Sequence, residues 1–359
     1  GEIYNFIELR NELKEKGYHF NSLTDTEIIL NAYLEWGEEC VNHFNGMWAF
    51  AIWDIREKKL FCSRDRFGIK PFYYYKSSNK FSFASEIKAL LEIVPASKNN
   101  NALSRYLYFD EIDTTHETFF ENIYQLRPGY SLIIQNGRFE NKLHYNILDH
   151  IKRIGNGKKI TFFKKFQDAV KLRLRSDVEL GFALSGGIDS SSIVCMSNLI
   201  DGSTKKITFS IVYPGETIDE SQFIDEVIQK TKFEKASITP EFKDFKSDLS
   251  DFIYFQEEPV PDLSYYNEYR LRKFIKEKKV IVTLEGQGAD EIITGYRSFV
   301  LPFYFDLISS FRFKRLRNEM KAFSHFYKIK MSELIIRFLL SKIPKSIFLK
   351  IKGFYKKKS

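Results

Sequence analysis

One stretch restricts the fold of this chain more than any other. The apolar run Leu180-Gly181-Phe182-Ala183-Leu184 is followed by Ser185-Gly186-Gly187-Ile188-Asp189-Ser190-Ser191-Ser192, and then by Ile193-Val194-Cys195-Met196. This order reads as a strand, a glycine turn dense in hydroxyls, and a helix. A helix N-terminus offers unpaired N–H groups and the positive end of its dipole. Two glycines let the backbone approach a bulky anion. The serines add donors, and Asp189 is placed to hold a cation beside that anion. No Gly-Lys-Ser/Thr follows the glycines, so the turn is not a Walker loop. It fits chemistry in which pyrophosphate is handled as a unit.

The rest of the second half supports a parallel sheet. Helical patterns at Phe166–Arg175, Ile193–Leu199, Gln222–Lys230 and Glu268–Lys276 alternate with strand patterns at Leu180–Leu184, Ile207–Val212 and Val280–Leu284. Such alternation predicts helices on both faces of a parallel sheet. Ligands in such sheets bind beyond the carboxyl ends of the strands. Ser185 and Glu285 both follow strands and therefore fall on that edge.

The first half reads differently. Asn5–Gly17 and Asp25–Gly37 carry helical stripes, with Thr24 or Asp25 as a cap of the second and glycines ending both. A β-rich block follows. Met47–Trp53 is nearly all apolar, as a strand covered on both faces would be. Leu60–Ser63, Phe72–Tyr75, Phe81–Ala84 and Tyr130–Ile134 are further strands. The polar run Lys152–Lys159 marks a linker. The expected organisation is a first domain over 1–150, a second over 151–310, and a basic helical tail over 311–359.

With 359 residues, 43% of them hydrophobic, the chain can build two cores. No apolar run is long enough for a membrane span. Cys40, Cys62 and Cys195 are scattered, which suggests a reducing, cytoplasmic setting without a disulfide framework. Cys195, in an apolar helix run, is expected to be core. The net charge of +8 is unevenly spread: Phe311–Ser359 holds 15 Lys/Arg against 2 Asp/Glu, a net +13, which leaves −5 for the rest. Such a tail can touch nucleic acid or an anionic membrane, or simply form the solvated face of packed helices.

Three further groups of residues carry possible chemistry. Leu284-Glu285-Gly286-Gln287-Gly288-Ala289-Asp290-Glu291 offers close backbone approach and two carboxylates that Asp189 can join, as magnesium bridging to phosphate requires. The same residues would also serve as a helix start with first-turn acids. Glu257 and Glu258 can bind an amine or a cation, although such acids are more often solvated or cap a helix. Glu2 and Asp25 are candidates for holding a ligand's α-amino group, and Asp25 also for a plain cap. Arg64–Pro71 is a further distinctive segment.

From Gly1 to about Tyr296 these motifs, in order, resemble the glutamine-dependent asparagine synthetases. Gly1-Glu2-Ile3-Tyr4-Asn5, the Asp25 helix start and Arg64–Pro71 are similar to the later part of that family's glutaminase domain. Ser185–Ser190 resembles its pyrophosphate loop, and Gly286–Tyr296 its second ATP loop. The resemblance implies an αββα amidohydrolase domain of the N-terminal-nucleophile type, here incomplete, followed by an α/β ATP-pyrophosphatase domain. It implies cleavage of glutamine, Mg-ATP activation of aspartate as an acyl-adenylate, and ammonia attack giving asparagine, AMP and pyrophosphate. By motif match Glu2 and Asp25 would bind glutamine. Leu184, Ser185, Gly186, Gly187, Asp189, Ser190, Ile211, Glu285 and Gly286 would contact ATP, and Asp189 and Asp290 would hold Mg2+. The implied partners are glutamine, ATP and aspartate or another carboxylate acceptor; a homodimer and no nucleic-acid partner are further expectations.

Two departures matter. The family's N-terminal nucleophilic Cys has no counterpart in this chain, which starts at Gly1 within a mid-domain motif, so no glutaminase activity is expected of it as it stands. The late Arg-Val-Pro-Phe-Leu-Asp-like segment is also missing, and the sequence reads as incomplete at both ends. Gln287 occupies the position of a catalytic Glu linked to adenylation, which opens a second reading: an amidotransferase acting on another carboxylate, such as a uronic acid of surface polysaccharide. A third is a nucleotide-binding remnant without activity.

Overall fold

The computed structural model describes residues 1–95, 97–154, 161–202, 206–293 and 295–330. They belong to two compact units, Gly1–Glu285 and Gly286–Ser359.

The first unit opens with β1 (Glu2–Ile3), α1 (Phe6–Glu15), α2 (Asp25–Trp36), β2 (Gly46–Met47), β3 (Ala49–Asp54), β4 (Lys59–Arg64), β5 (Tyr73–Lys76), β6 (Phe81–Ala84), α3 (Ile87–Leu91), α4 (Asn100–Phe109), β7 (Ile123–Gln125), β8 (Tyr130–Gln135), β9 (Arg138–Leu143) and α5 (Ile147–Ile154). One antiparallel sheet has the order β3-β4-β8-β9 and a second the order β6-β5-β7, while β1 pairs with β2. Successive side chains of a strand point to opposite faces, and this sorts the layers. On β4, Phe61 packs with Leu9 and Leu13 of α1 and Ile28 of α2, whereas Leu60 and Cys62 join Phe72, Tyr74 and Leu132 between the sheets. On β5, Tyr74 faces that inner layer while Tyr73 and Tyr75 meet Ile87 and Leu90 of α3. The layers run helices, sheet, sheet, helix. A fully buried side chain such as Phe61 stabilises this stack by about 2–3 kcal/mol.

Both expected N-terminal helices form, and Gly17 and Gly37 follow them at φ +94° and +57°. Of the two candidate caps, Thr24 takes the N-cap position, without a side-chain capping bond, and the Asp25 carboxylate accepts the Ile3 N–H at 2.9 Å. The apolar run at 47–53 is interrupted, but beyond the interruption β3 is covered on both faces as expected: Phe50 and Ile52 pack against the helix-side cluster, and Ala49 and Ala51 against the cluster between the sheets. The run breaks at Trp48, whose N–H and C=O both turn to Asp65, and β3 lies at a sheet edge with Trp53 58% exposed. Strands β7 and β9 are not foreshadowed by apolar alternation: β7 is very short and β9 is largely polar.

The same unit continues with α6 (Phe162–Arg173), β10 (Leu180–Ala183), α7 (Ile188–Ile200), β11 (Ile207–Ile211), α8 (Ser221–Thr231), β12 (Glu234–Ile238), α9 (Phe242–Gln256), α10 (Ser264–Glu277) and β13 (Val282–Leu284). The sheet order is β12-β11-β10-β13 with every pair parallel. Phe182 and Leu184 pack with Val194 of α7 and Ile224 of α8, while Ala183, Ile207 and Phe209 pack with Leu271 and Ile275 of α10. Helices therefore cover both faces, as the alternation predicts. Two details are corrected. Helix α7 begins at Ile188, so Asp189 lies in its first turn, and Cys195 is exposed rather than core because Ser190, Val194 and Ser197 form the inward stripe. Of the expected linker, α5 takes up the start, and residues 155–160 lie outside the described residues.

The second unit contains α11 (Ala289–Ile293), α12 (Val300–Ser309) and α13 (Phe313–Phe326). Tyr304 and Leu307 of α12 are its buried side chains. The expected basic tail is described as far as Lys330, and residues 331–359 lie outside the described residues.

Candidate functional site

The hydroxyl-rich turn sits where β10 ends and α7 begins. Leu184 is in the core, with its N–H donating to the Phe209 carbonyl at 2.9 Å and its C=O accepting from the Ser210 hydroxyl at 2.6 Å. These bonds fix the strand end from which the turn departs. Gly186 has φ +86°, and a Cβ there would stand 3.0 Å from Cβ of Phe223 and 3.2 Å from the Glu220 carbonyl. Glycine is thus required on both conformational and steric grounds. The Ser185 and Ser190 hydroxyls lie 3.1 Å apart, Ser190 Oγ receives the Ser185 N–H at 3.2 Å, and Ser185 Oγ receives the Gly187 N–H at 3.3 Å. Gly187 caps α7 without a side chain, and the N–H groups of Ile188 and Ser190 have no acceptor among the described residues. The turn therefore presents hydroxyls and free helix amides together, the donor set that holds a phosphate group.

Ile211 ends β11 and packs against the cluster of Phe209, Leu271 and Ile275. Strand β13 lies beside β10 in register Phe182 to Leu284, so Glu285 leaves the sheet on the same edge as Ser185. The Glu285 carboxylate is held by both terminal nitrogens of Arg272 and by the Thr283 hydroxyl at 2.8 Å. This ion pair raises the Arg272 guanidinium above its ordinary range. In the second unit, Gly286 leads into a turn with exposed Gln287, and Asp290 lies in the first turn of α11. Gly295 comes so close to Asp290 that any Cβ would collide with its carboxylate, and its N–H donates to the Asp290 carbonyl at 3.0 Å.

The structure brings Glu2 and Asp25 together. Asp25 anchors β1 through the Ile3 N–H, and Glu2 lies near enough that burial first, and then the Asp25 charge, raise its carboxyl above the usual range. Asp177 adds to this effect and Lys70 opposes it. Paired carboxylates of this kind suit an ammonium group.

The Arg64–Pro71 segment is an organising knot. Asp65 is fully buried and accepts N–H groups from Trp48, Phe67, Ile69 and Lys70 at 3.0–3.2 Å. Arg64 donates to the carbonyls of Lys70, Leu126 and Gly68 and to the Gln125 side chain. These interactions hold the segment in place from within.

Glu257 and Glu258 are not solvated, and the capping expectation holds for Glu257, which is the C-cap residue of α9. Glu257 accepts the Ile87 and Lys88 N–H groups at 3.0 and 2.6 Å and so caps α3, while Glu258 accepts the Phe119 N–H at 2.7 Å. Burial, with Asp113 and Glu257 nearby, pushes the Glu258 carboxyl up to about 7. Tyr106 adds a bond to the Val260 carbonyl at 2.8 Å. Contacts between residues this distant in sequence leave no signal in local patterning. Cys40 and Cys62 are buried, and their thiols are pushed up to about 12 by desolvation.

A donor-rich turn at the carboxyl edge of a parallel sheet, preceded by a layered antiparallel half, defines a mixed α/β protein with its candidate site on that edge. The chain belongs to the asparagine synthase family, whose pattern matches residues 162–341, half of its length. A glutamine amidotransferase domain matches residues 1–145. Among similar proteins, a Methanocaldococcus jannaschii protein with the provisional name asparagine synthetase 2 (glutamine-hydrolysing) is 35% identical, over 86% of this chain and 60% of its own length. Asparagine synthetase 1 (glutamine-hydrolysing) of Bacillus subtilis is 34% identical, over 84% of this chain and 48% of its own. Amidase chry2 of Gibberella zeae is 29% identical, over 83% and 47%. The chain thus spans roughly half the length of these relatives.

Proposed function

We propose that this chain carries the ATP-handling part of a glutamine-dependent amide synthetase. In this reading it adenylates a carboxylate with Mg-ATP, ammonia displaces AMP, and pyrophosphate is the other product. The observation that carries the proposal is the Ser185–Ser190 turn, with paired hydroxyls, a glycine at positive φ and amides at the start of α7 that have no acceptor among the described residues. A carboxylate becomes electrophilic only when one oxygen is converted to a good leaving group. Donors fixed in place stabilise the negative charge that develops on the departing pyrophosphate.

Hard oxygen donors suit Mg2+, and Asp189 and Asp290 are the carboxylates assigned to it. Magnesium sites on nucleotides typically use one or two carboxylates plus phosphate oxygens. Among the described residues no group of three or more His, Cys, Asp or Glu could hold a metal, so phosphate oxygens would complete the coordination. The ion would neutralise phosphate charge. Leu184 and Ile211 would border the base through backbone and side-chain atoms, and Glu285 and Gly286 the ribose–phosphate side. Glu2 and Asp25 would hold the glutamine ammonium. The helix–sheet–sheet–helix stack supports an amidohydrolase fold of the N-terminal-nucleophile type, and the boundaries at 150 and 310, a cytoplasmic setting and a homodimer belong to the same proposal.

Aspartate is the acceptor favoured by the family name. A second acceptor class, a different carboxylic acid, is supported by Gln287, which offers no charge where the resemblance places Glu, and by the relative named an amidase. Titration calorimetry with Mg-ATP tests the proposal: the chain binds, and Asp189→Ala weakens binding at least tenfold, about 1.4 kcal/mol. Absence of binding, or binding untouched by the substitution, overturns the site. Pyrophosphate release with ammonia and aspartate, set against a uronic acid, decides the acceptor.

A further inference from the structure

We infer that the exposed face of α13 is a docking surface for an anionic lipid bilayer. Lys314, Arg317 and Lys321 are spaced i, i+3 and i+7, which places them in one stripe of the helix. All three are exposed and none has a carboxylate partner among the described residues. The only acid from Phe311 to Lys330 is Glu319, and it pairs with Arg315 on another face at 3.5 Å. Leu316, Met320 and Phe323 form the partly covered opposite side.

Exposed aromatic side chains adjoin the N-terminal end of the cationic stripe: Phe311 and Phe313 are 81% and 56% exposed. A helix lying in a membrane interface combines these two features: cations meet lipid phosphates, and apolar rings enter the acyl boundary. The sequence beyond Lys330 continues the same chemistry, with 8 Lys/Arg and one acid interleaved with Ile, Leu and Phe. Aliphatic side chains of that kind enter acyl chains but cannot stack on bases, which favours a bilayer over a nucleic acid. The surface is an adhesive one, since no helix among the described residues is long and apolar enough to cross a membrane.

Flotation of the full chain with vesicles tests this. Vesicles of phosphatidylcholine with 30% phosphatidylglycerol retain the protein, pure phosphatidylcholine does not, and raised salt releases it. The triple variant Lys314→Gln, Arg317→Gln, Lys321→Gln lowers retention at least tenfold, while Mg-ATP binding and the circular dichroism spectrum stay as in the parent. Phe311→Ser with Phe313→Ser reduces retention without altering net charge. Equal retention on both vesicle types, an unaffected triple variant, or binding to polyuridylate with none to vesicles overturns the inference.

Discussion

At the scale of single residues, Asp65 shows how much one carboxylate can organise. Its two oxygens collect four backbone N–H groups from two places along the chain, Trp48 and the turn 67–70. Asp65→Ala leaves those donors buried without acceptors, at about 1–3 kcal/mol for each that finds no water. We expect the urea midpoint to fall by an amount corresponding to at least about 3 kcal/mol, whereas Asp65→Asn, which keeps one acceptor oxygen, loses less. The sequence announces this residue only as part of a distinctive segment. Its role depends on Trp48 coming alongside, which local patterning does not encode. Ser185, Gly186 and Asp189 lie at the opposite extreme. Their setting is legible because strand, turn and helix are contiguous, and a glycine at positive φ is a local requirement.

At the scale of elements, α3 is too short to persist by itself, and its cap comes from the other half of the unit. Glu257 reaches the Ile87 and Lys88 amides and also pairs with Lys88 Nζ at 3.2 Å. Glu257→Ala is expected to cost about 1–2 kcal/mol, and hydrogen exchange at Ile87 and Lys88 should accelerate selectively. Unchanged protection there would mean the cap contributes nothing. Elements defined by periodic apolar residues, such as α1, α2, α8 and α10, are readable because a single face must be buried. Helix α9, strand β12 and strand β9 escape such reading. Strand β12 sits at a sheet edge with polar residues interspersed, and α9 keeps only Asp248 and Phe252 fully inside. Apolar content also misleads when it is read without position, as the interrupted run at Trp48 shows.

At the scale of the whole molecule, the joint between the layered half and the parallel-sheet half is electrostatically poised. Glu258 faces the Phe119 amide, with Asp113 and Glu257 close by, and its carboxyl titrates near 7 rather than at the ordinary 4.5. Because the folded form holds the proton more tightly than the unfolded chain, its stabilising share is complete below about pH 4.5 and is lost as pH rises through about 7. The full effect is on the order of 3 kcal/mol. Glu258→Gln keeps an acceptor for Phe119 and removes the titration. We therefore expect the variant to match the parent near pH 5 and to melt at a higher temperature near pH 8. Parallel melting curves at both pH values would show that Glu258 does not couple the halves to protons. The class of the second half is legible from sequence because parallel sheets need contiguous alternation. The joint is not, since it is built from residues more than a hundred positions apart.

The outward turn of Cys195 has a practical side. Cys40 and Cys62 are shut away from solvent, and Cys195 stands exposed on the helix whose first turn follows Gly187. A thiol-reactive fluorophore would therefore attach at one place, two turns along the element that receives the triphosphate in our reading. The molecule comes with its own reporter position, and a change of emission on adding nucleotide can be followed without engineering a single residue.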